Sequence, residues 1–352
     1  MNIKKLYLIE PHYQHLYQNR CFDKKKYPMN YKIRQLLKKK GVILDTVDLH
    51  DIRKADKIFF VDFNDFTFFD RRRSKYLDLC IKYNVPKKKL NLIIFECPVI
   101  KPYNWYKDNH KYFSKIFTWN DSVVDNKKYF HFFVPIPSDG IKTRTLTFAS
   151  KKLLVLINMN KVNYFDHELY SLRRNAIRFF ERHHKVEFDL YGVGWSKPLK
   201  LKFIYSILKG NTSKLPNFIS DYLDNLKGFP SYRGEVKNKY KILSRYKYSL
   251  CFENMSDVDG NISEKIFDCF KAKCVPVYYG GKNIADYVPE DLFIDFRKFS
   301  NFEELYIYLK NITKKQYNQH IDRIKRFLIS KQFKKWDYIH YCNDIFLHQD
   351  LS

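Results

Sequence analysis

The chain has 352 residues, 45% hydrophobic, 18% aromatic and 29% charged. That mixture excludes a disordered polymer, and the length suits two domains of ordinary size. Lys and Arg number 65 against 38 Asp and Glu, a net charge of +27, which admits nucleic acid, an anionic membrane face or an anionic substrate as partner. The basic runs Lys24–Lys26, Lys38–Lys40, Arg71–Arg73 and Lys87–Lys89 are scattered along the chain, as on a solvated surface. Seven cysteines without a C-x-x-C pair exclude a disulfide framework and fit a reducing compartment. No stretch of eighteen apolar residues occurs, so a cytoplasmic protein, peripheral to an anionic membrane at most, is expected. The sequons at Asn254 and Asn261 fall inside the candidate site described below, where a glycan would be intolerable.

In chain order, "LYLIE", the amphipathic "YKIRQLLKKKG", "VILDTVDL", "KIFFVDF", the helical "RSKYLDLCIKYN", "LNLIIFE" and "KIFTWN" alternate short apolar strands with helices. This pattern predicts βαβ units and a parallel sheet. "FFVPIPSDGIKTRT" reads as a linker. The pattern then restarts with "KKLLVLINMN", the helical "LYSLRRNAIRFFERHH" and "VEFDLYGVGW". Two α/β domains are expected, residues 1–148 and 149–352, the second closing with helices "FEELYIYLKNI", "QHIDRIKRFLI" and "FKKWDYIHYCNDIF".

The densest chemistry lies in "CFENMSDVDGNISEKIFDCFKAKCVPVYYGG". "YSLCFEN" and "CVPVYYGG" are strand-like, and "SEKIFDCFKAK" puts Ile266, Phe267 and Phe270 on one helical face. Ligands of open parallel sheets sit at the carboxyl ends of strands, anions at the following helix N-terminus. Asn261 or Ser263 can cap that helix, and the Asn261 to Glu264 spacing has the form of a capping box. Lys265 in the first turn opposes the helix dipole, which a phosphate ligand would reverse. The Asp257 and Asp259 pair admits a divalent cation, but a cationic helix start competes with one. "GVG" at Gly192–Gly194 lacks the third glycine of a dinucleotide fingerprint. His183 and His184 show no metal-ligand spacing.

The run from "YKYSLCFEN" through "SEK", "VPVYYG" and "VPEDLFID" resembles the donor-binding region of the α1,3/4-fucosyltransferase family. More weakly, "RGEVKNKYKILSRYK", "LYSLRRNAIRFF", "FECPVIKP" and "FTWN" are similar to its other motifs, so the likeness runs from about Phe95 to Phe299. The resemblance implies two facing Rossmann-like domains of the GT-B type, an acceptor-side N-terminal one and a C-terminal one binding GDP-fucose. It implies inverting transfer of fucose to a hydroxyl of a glycan containing N-acetylglucosamine or glucose, in α1,3 linkage, without a metal or other cofactor. An oligosaccharide or lipopolysaccharide-type acceptor would be the partner, and nucleic acid would not. By position, Lys265 and either Arg173 or Arg174, Arg173 preferred, would hold the diphosphate. Glu264 would bind sugar hydroxyls, Glu253, Asn254 and Asn261 would complete the nucleotide site, and Glu96 of "FECP" would be the general base. Asn261 stands where the family commonly has an aromatic residue, which leaves a different GDP-sugar donor as the alternative.

The chemistry agrees with this assignment. Inverting displacement needs a base for the acceptor hydroxyl and charge stabilisation for the departing diphosphate, with no covalent nucleophile. A carboxylate ending the apolar strand "LNLIIFE" and cations at the diphosphate meet those needs. A basic nucleic-acid-binding protein is the reading from another class, favoured by the net charge and by no recognised module.

Overall fold

The computed structural model describes residues 5–63, 74–137, 146–196 and 215–347. The Arg71–Arg73 run, the second half of the linker and the sequon at Asn211 lie outside them. Two compact units result, residues 1–139 with 333–352, and residues 140–332.

The first unit carries a six-stranded sheet of order β2-β1-β3-β4-β5-β6, parallel throughout. Its strands are β1 (Lys5–Glu10), β2 (Val42–Thr46), β3 (Lys57–Val61), β4 (Leu90–Ile94), β5 (Lys115–Thr118) and β6 (Tyr129–His131). Helices cover both faces of such a sheet, which is why its strands read as continuous apolar runs; every residue of β4 is buried. Leu8, Ile58, Phe60, Leu92 and Ile116 form one core cluster with Leu77 and Cys80 of the helix Lys75–Lys82.

The second unit carries a five-stranded parallel sheet of order β11-β10-β9-β7-β8. The strands are β7 (Lys152–Ile157), β8 (Phe188–Tyr191), β9 (Tyr246–Phe252), β10 (Val275–Tyr279) and β11 (Ile294–Asp295). The helix Tyr170–His183 joins β7 to β8, and the helix Glu264–Lys271 joins β9 to β10. Strand order reverses between β1 and β3 in one sheet and between β7 and β9 in the other. These are the topological switch points, where open α/β sheets leave a crevice outside their strand ends.

The C-terminal segment groups differently from the expected 149–352 domain. Helices Phe302–Asn311 and Lys314–Leu328 stay with the second unit, while Phe333–Ser352 groups with the first. Aromatic packing accounts for this. Phe346 stacks edge-on to Phe59, Tyr341 against Phe132, and Trp336 against Phe133, its carbonyl accepting from the Ile136 N–H.

Candidate active site

The switch point of the second unit opens into a pocket of about 730 Å³, walled by Ile157 at the end of β7 and Asn158 after it, Asn254 after β9, and the first turns of the helix Glu264–Lys271. Five cations line it, Lys161, Arg173, Lys237, Lys239 and Lys265, against the carboxylates of Glu264 and Asp268. The pocket is built for an anion.

The helix opens two residues later than the capping-box spacing suggests. Ser263 is the N-cap, its Oγ accepting from the Lys265 N–H at 3.4 Å. Asn261 is instead drawn inward: its side-chain amide donates to the Met255 carbonyl at 2.9 Å and its own carbonyl accepts from the Tyr278 hydroxyl. It braces the Met255–Gly260 loop and does not line the pocket. The strand-end loop is long enough to leave polar groups behind, and Asn261 satisfies them.

Lys265 meets Glu253. Its Nζ lies 2.7 Å from Glu253 Oε2 and 3.0 Å from Ser263 Oγ. Glu253 is 1% exposed and also accepts from the Ser263 N–H and hydroxyl. Burial works against the lysine's charge, but the carboxylates of Glu253 and Glu264 more than offset it and hold the ammonium above its ordinary pKa. A quarter of the Lys265 side chain stays exposed to the pocket, so it can meet an anion without leaving Glu253. Glu264, at the first helical position, faces the pocket too; burial pushes its carboxyl up, and the Lys265 and Lys239 charges pull it below the ordinary range. Gly280 explains part of "VPVYYGG": a Cβ there would lie 2.4 Å from Glu253 Cγ.

The two adjacent arginines separate cleanly. Arg173 is buried against the end of β9, one guanidinium nitrogen donating to the carbonyls of Phe252 and Glu253 at 2.7 and 2.5 Å and to Asn254 Oδ1 at 3.2 Å. Its guanidinium packs over Tyr170, 4.8 Å from the ring centre, and it lines the pocket. Arg174 points elsewhere, to Asn160 Oδ1 and the Trp195 ring, with Nε and Nη1 left without hydrogen-bond partners among the described residues. One residue along a helix turns a side chain by roughly 100°, so a single pocket cannot use both.

Two other motifs resolve into structure. Gly192 adopts φ +132° and its Cα approaches the Asn158 carbonyl too closely for any Cβ, so "GVG" turns the chain at the pocket wall. His184 stacks on Tyr306 with ring centres 3.4 Å apart and lies 3.0 Å from Glu303. Among the described residues no group of three or more His, Cys, Asp or Glu side chains is arranged to hold a metal ion.

In the first unit Glu96 follows β4 at the carboxyl edge of the sheet, half-buried, with its peptide clamped on both sides. Its N–H and that of Phe95 donate to Asp62 Oδ1 at 3.1 and 2.8 Å. Its carbonyl accepts from the Trp105 indole at 3.1 Å and the Asn104 amide at 3.3 Å, while the Trp119 indole donates to the Phe95 carbonyl. Asp62, after β3, is 1% exposed and holds φ +56°, a conformation a non-glycine residue adopts at a cost. Burial raises its pKa, but the pairing with His12, whose Nδ1 stands 2.7 Å from Oδ2, outweighs this and lowers it.

Sequence reasoning passed over Asp62, His12 and Glu10. Glu10 ends β1 fully buried, accepting from Ser74 Oγ at 2.5 Å and the Tyr17 hydroxyl at 3.0 Å, and burial raises it to about 7. A signal was present: "LYLIE", "FFVD" and "LIIFE" each end an apolar strand on an acid, and the one reading applied to Glu96 applies to all three.

Residues 221–349 match the model of the glycosyltransferase family 10 (fucosyltransferase) C-terminal domain. The α-(1,3)-fucosyltransferase FucT of Helicobacter pylori is 32% identical over 153 residues, 41% of this chain and 31% of that protein, so the match spans under a third of the relative. Among solved structures, an α1,3-fucosyltransferase superposes with a TM-score of 0.53 at 13% identity, covering 90% of this chain and 81% of that one. The Anabaena protein HepE superposes with a TM-score of 0.52 at 8% identity, covering 97% of this chain and 98% of that one. The likeness to these structures is one of fold, the two-unit α/β arrangement of the GT-B type. Over residues 221–349, the chain is similar to the C-terminal domain of glycosyltransferase family 10, the fucosyltransferases.

Proposed function

We propose that the protein transfers fucose from GDP-fucose to a glycan hydroxyl with inversion at the sugar carbon. The observation that carries this is the pocket at the β7/β9 switch point, where five cations face two carboxylates, with Lys237, Lys239, Lys265, Glu264 and Asp268 in the region matched by the family model. Lys265 and Arg173 hold the diphosphate, and the helix Glu264–Lys271 adds its N-terminal dipole. Lys265 is ordered by Glu253 before the ligand arrives, so little side-chain entropy is lost on binding. Glu264 and Asn254 lie at the wall, within the same pocket, as partners for ribose or fucose hydroxyls. As the C–O bond to the diphosphate breaks, the two cations stabilise the charge that collects on the leaving oxygen, and no metal is needed for that.

In the same reading Glu96 takes up the hydrogen bond of the attacking acceptor hydroxyl at the carboxyl edge of the first sheet. The clamp on its peptide supports that role, because a strand-end carboxylate fixed on both sides is pre-organised. The acceptor is a glycan containing N-acetylglucosamine or glucose, of oligosaccharide or lipopolysaccharide type, and the linkage is α1,3. The excess of positive charge suits an anionic acceptor or membrane face; among the described residues no helix is long and apolar enough to cross a membrane.

Titration calorimetry with GDP-fucose, GDP-mannose and GDP, followed by linkage analysis of the product from an acceptor panel, tests the reading. Tightest binding and turnover are expected with GDP-fucose; turnover with another GDP-sugar alone replaces the donor assignment. Lys265→Ala is expected to weaken GDP itself at least tenfold, about 1.4 kcal/mol, and undiminished affinity removes its phosphate role.

A further inference from the structure

A pocket of about 460 Å³ opens in the first unit beside the carboxyl ends of β1 and β2. Tyr17, Tyr76 and Asp48 are its half-buried walls, and Gln14, Gln18, Arg20 and Lys75 its exposed rim. The loop that carries four of these residues is locked to the end of β2. The Asn19 N–H donates to Thr46 Oγ1 at 3.0 Å, and the Thr46 N–H returns a bond to Asn19 Oδ1 at 2.9 Å. The Asn19 amide also donates to Asp45 Oδ1, and the Gln18 N–H donates to Asp48 Oδ2 at 2.9 Å. Gln18 and Asn19 are held at φ +56° and +58°, two successive left-handed residues, neither of them glycine. Backbone strain of this kind persists where the surroundings over-determine it, and ligand clamps are such places. Tyr17 is fixed in turn, its hydroxyl donating to Glu10 Oε1 at 3.0 Å and its ring edge-on to Tyr76, 5.8 Å between centres. One acceptor is left over: Asp48 Oδ1 is buried with no hydrogen-bond partner among the described residues.

We propose that this pocket binds one hexose unit of a glycan, away from the hydroxyl that reacts. As a sugar site it rests on the pocket; as an acceptor subsite it rests on the transferase reading above. A sugar presents hydroxyls that donate and accept, around a face of C–H groups. The amides of Gln14 and Gln18 answer both senses, and Lys75 donates. Asp48 Oδ1 takes a hydroxyl proton that the fold itself does not supply. The Tyr17 and Tyr76 rings offer apolar surface to the C–H face. An anion suits the pocket less, because a carboxylate stands in its wall and Arg20 already donates to Gln18 Oε1 at 2.7 Å. Polar groups that only the right hydroxyls can pair reject a sugar lacking them. Asp48 follows β2 and Glu96 follows β4, three strand spacings along the sheet, about 14 Å. That gap exceeds one sugar ring, so the unit held here and the hydroxyl at Glu96 belong to different rings of one acceptor. The pocket therefore favours extended glycans over single sugars.

Saturation-transfer NMR on the whole chain with lactose, N,N′-diacetylchitobiose and inorganic phosphate tests the proposal, with melting curves for the wild type, Tyr76→Ala, Asp48→Ala and Gln14→Ala. At least one disaccharide is expected to bind the wild type. Tyr76→Ala and Asp48→Ala are expected to weaken it about tenfold, and Gln14→Ala, at the exposed rim where folding is not at stake, about threefold. Equal affinities in all four proteins, or no disaccharide bound by the wild type, overturn the proposal. Phosphate bound in place of any sugar marks an anion site and overturns it too. Should Tyr76→Ala or Asp48→Ala melt early, Gln14→Ala decides, and its unchanged affinity overturns the proposal. The transferase reading fails separately: a protein that binds the disaccharide here yet transfers from no GDP-sugar keeps the sugar site and loses the acceptor role. Normal transfer by a wild type that binds no disaccharide removes the site and leaves the transferase reading intact.

Discussion

Both units place their chemistry at the carboxyl edge of a parallel sheet where strand order reverses, yet they treat charge in opposite ways. In the second unit the edge gathers cations, and its buried carboxylate Glu253 neutralises Lys265 from behind. In the first the edge gathers acids, with Glu10, Asp62 and Glu96 ending three strands. Burial raises the Glu10 carboxyl to about 7, while hydrogen bonds and His12 hold Asp62 below its ordinary range. The lesson is that the fold supplies the position and the side chains decide whether that position serves a phosphate or a proton.

Five substitutions press on that contrast. The largest effect is expected at Arg173, where Arg173→Met leaves the carbonyls of Phe252 and Glu253 without a donor. Chemical denaturation should show a loss of about 3–5 kcal/mol. Arg174→Met should cost less, because two of its nitrogens have no hydrogen-bond partner among the described residues and the bond to Asn160 is the one lost; equal losses at the two positions would erase the distinction drawn between them.

Next comes Glu10. Its folded pKa of about 7 stands above the ordinary 4.5, so the protonated form favours the folded state. That stability is present in full below about pH 4.5 and is lost as pH rises through 7, on the order of 3 kcal/mol in all. Glu10→Gln should therefore be more stable than the wild type at pH 8 and similar to it at pH 4. Parallel stability curves for the two proteins would show that Glu10 is ionised in the fold.

Glu96→Gln should leave GDP affinity untouched and slow transfer about a hundredfold, near 2.7 kcal/mol. Near-normal turnover in a steady-state assay would take Glu96 out of the reaction. The smallest effect is expected at Glu253, and its sign is the informative part. With Glu253→Gln, Lys265 loses its internal counter-charge, and GDP should bind about fivefold tighter, near 1 kcal/mol. Weaker binding would mean that Glu253 positions the lysine more than it neutralises it.

Much of this was legible along the chain. The apolar runs that became β1 to β5 and β7 to β10 are short, flanked by helices and buried on both faces, so their length and composition mark them without tertiary information. Lys265 was conspicuous because a cation in a first helical turn contradicts a local rule, and such contradictions gather at sites. The partner of Lys265 was not legible: Glu253 lies twelve residues upstream across a strand end, and nothing local marks it as the carboxylate that turns inward. The capping spacing at Asn261 misled for a related reason, since Ser263 competes for the same cap and the loop's unsatisfied carbonyl at Met255 decides between them.

The order of strands and helices, the choice of Glu96 and the cationic helix start were thus written in the sequence, because each depends on residues within a few positions of one another. Which arginine enters the pocket, where residues 333–347 pack and how His12 comes beside Asp62 fifty residues away were decided by the tertiary structure. Those outcomes depend on which strand ends the parallel crossovers bring together, and a crossover's spatial neighbours are not its sequence neighbours.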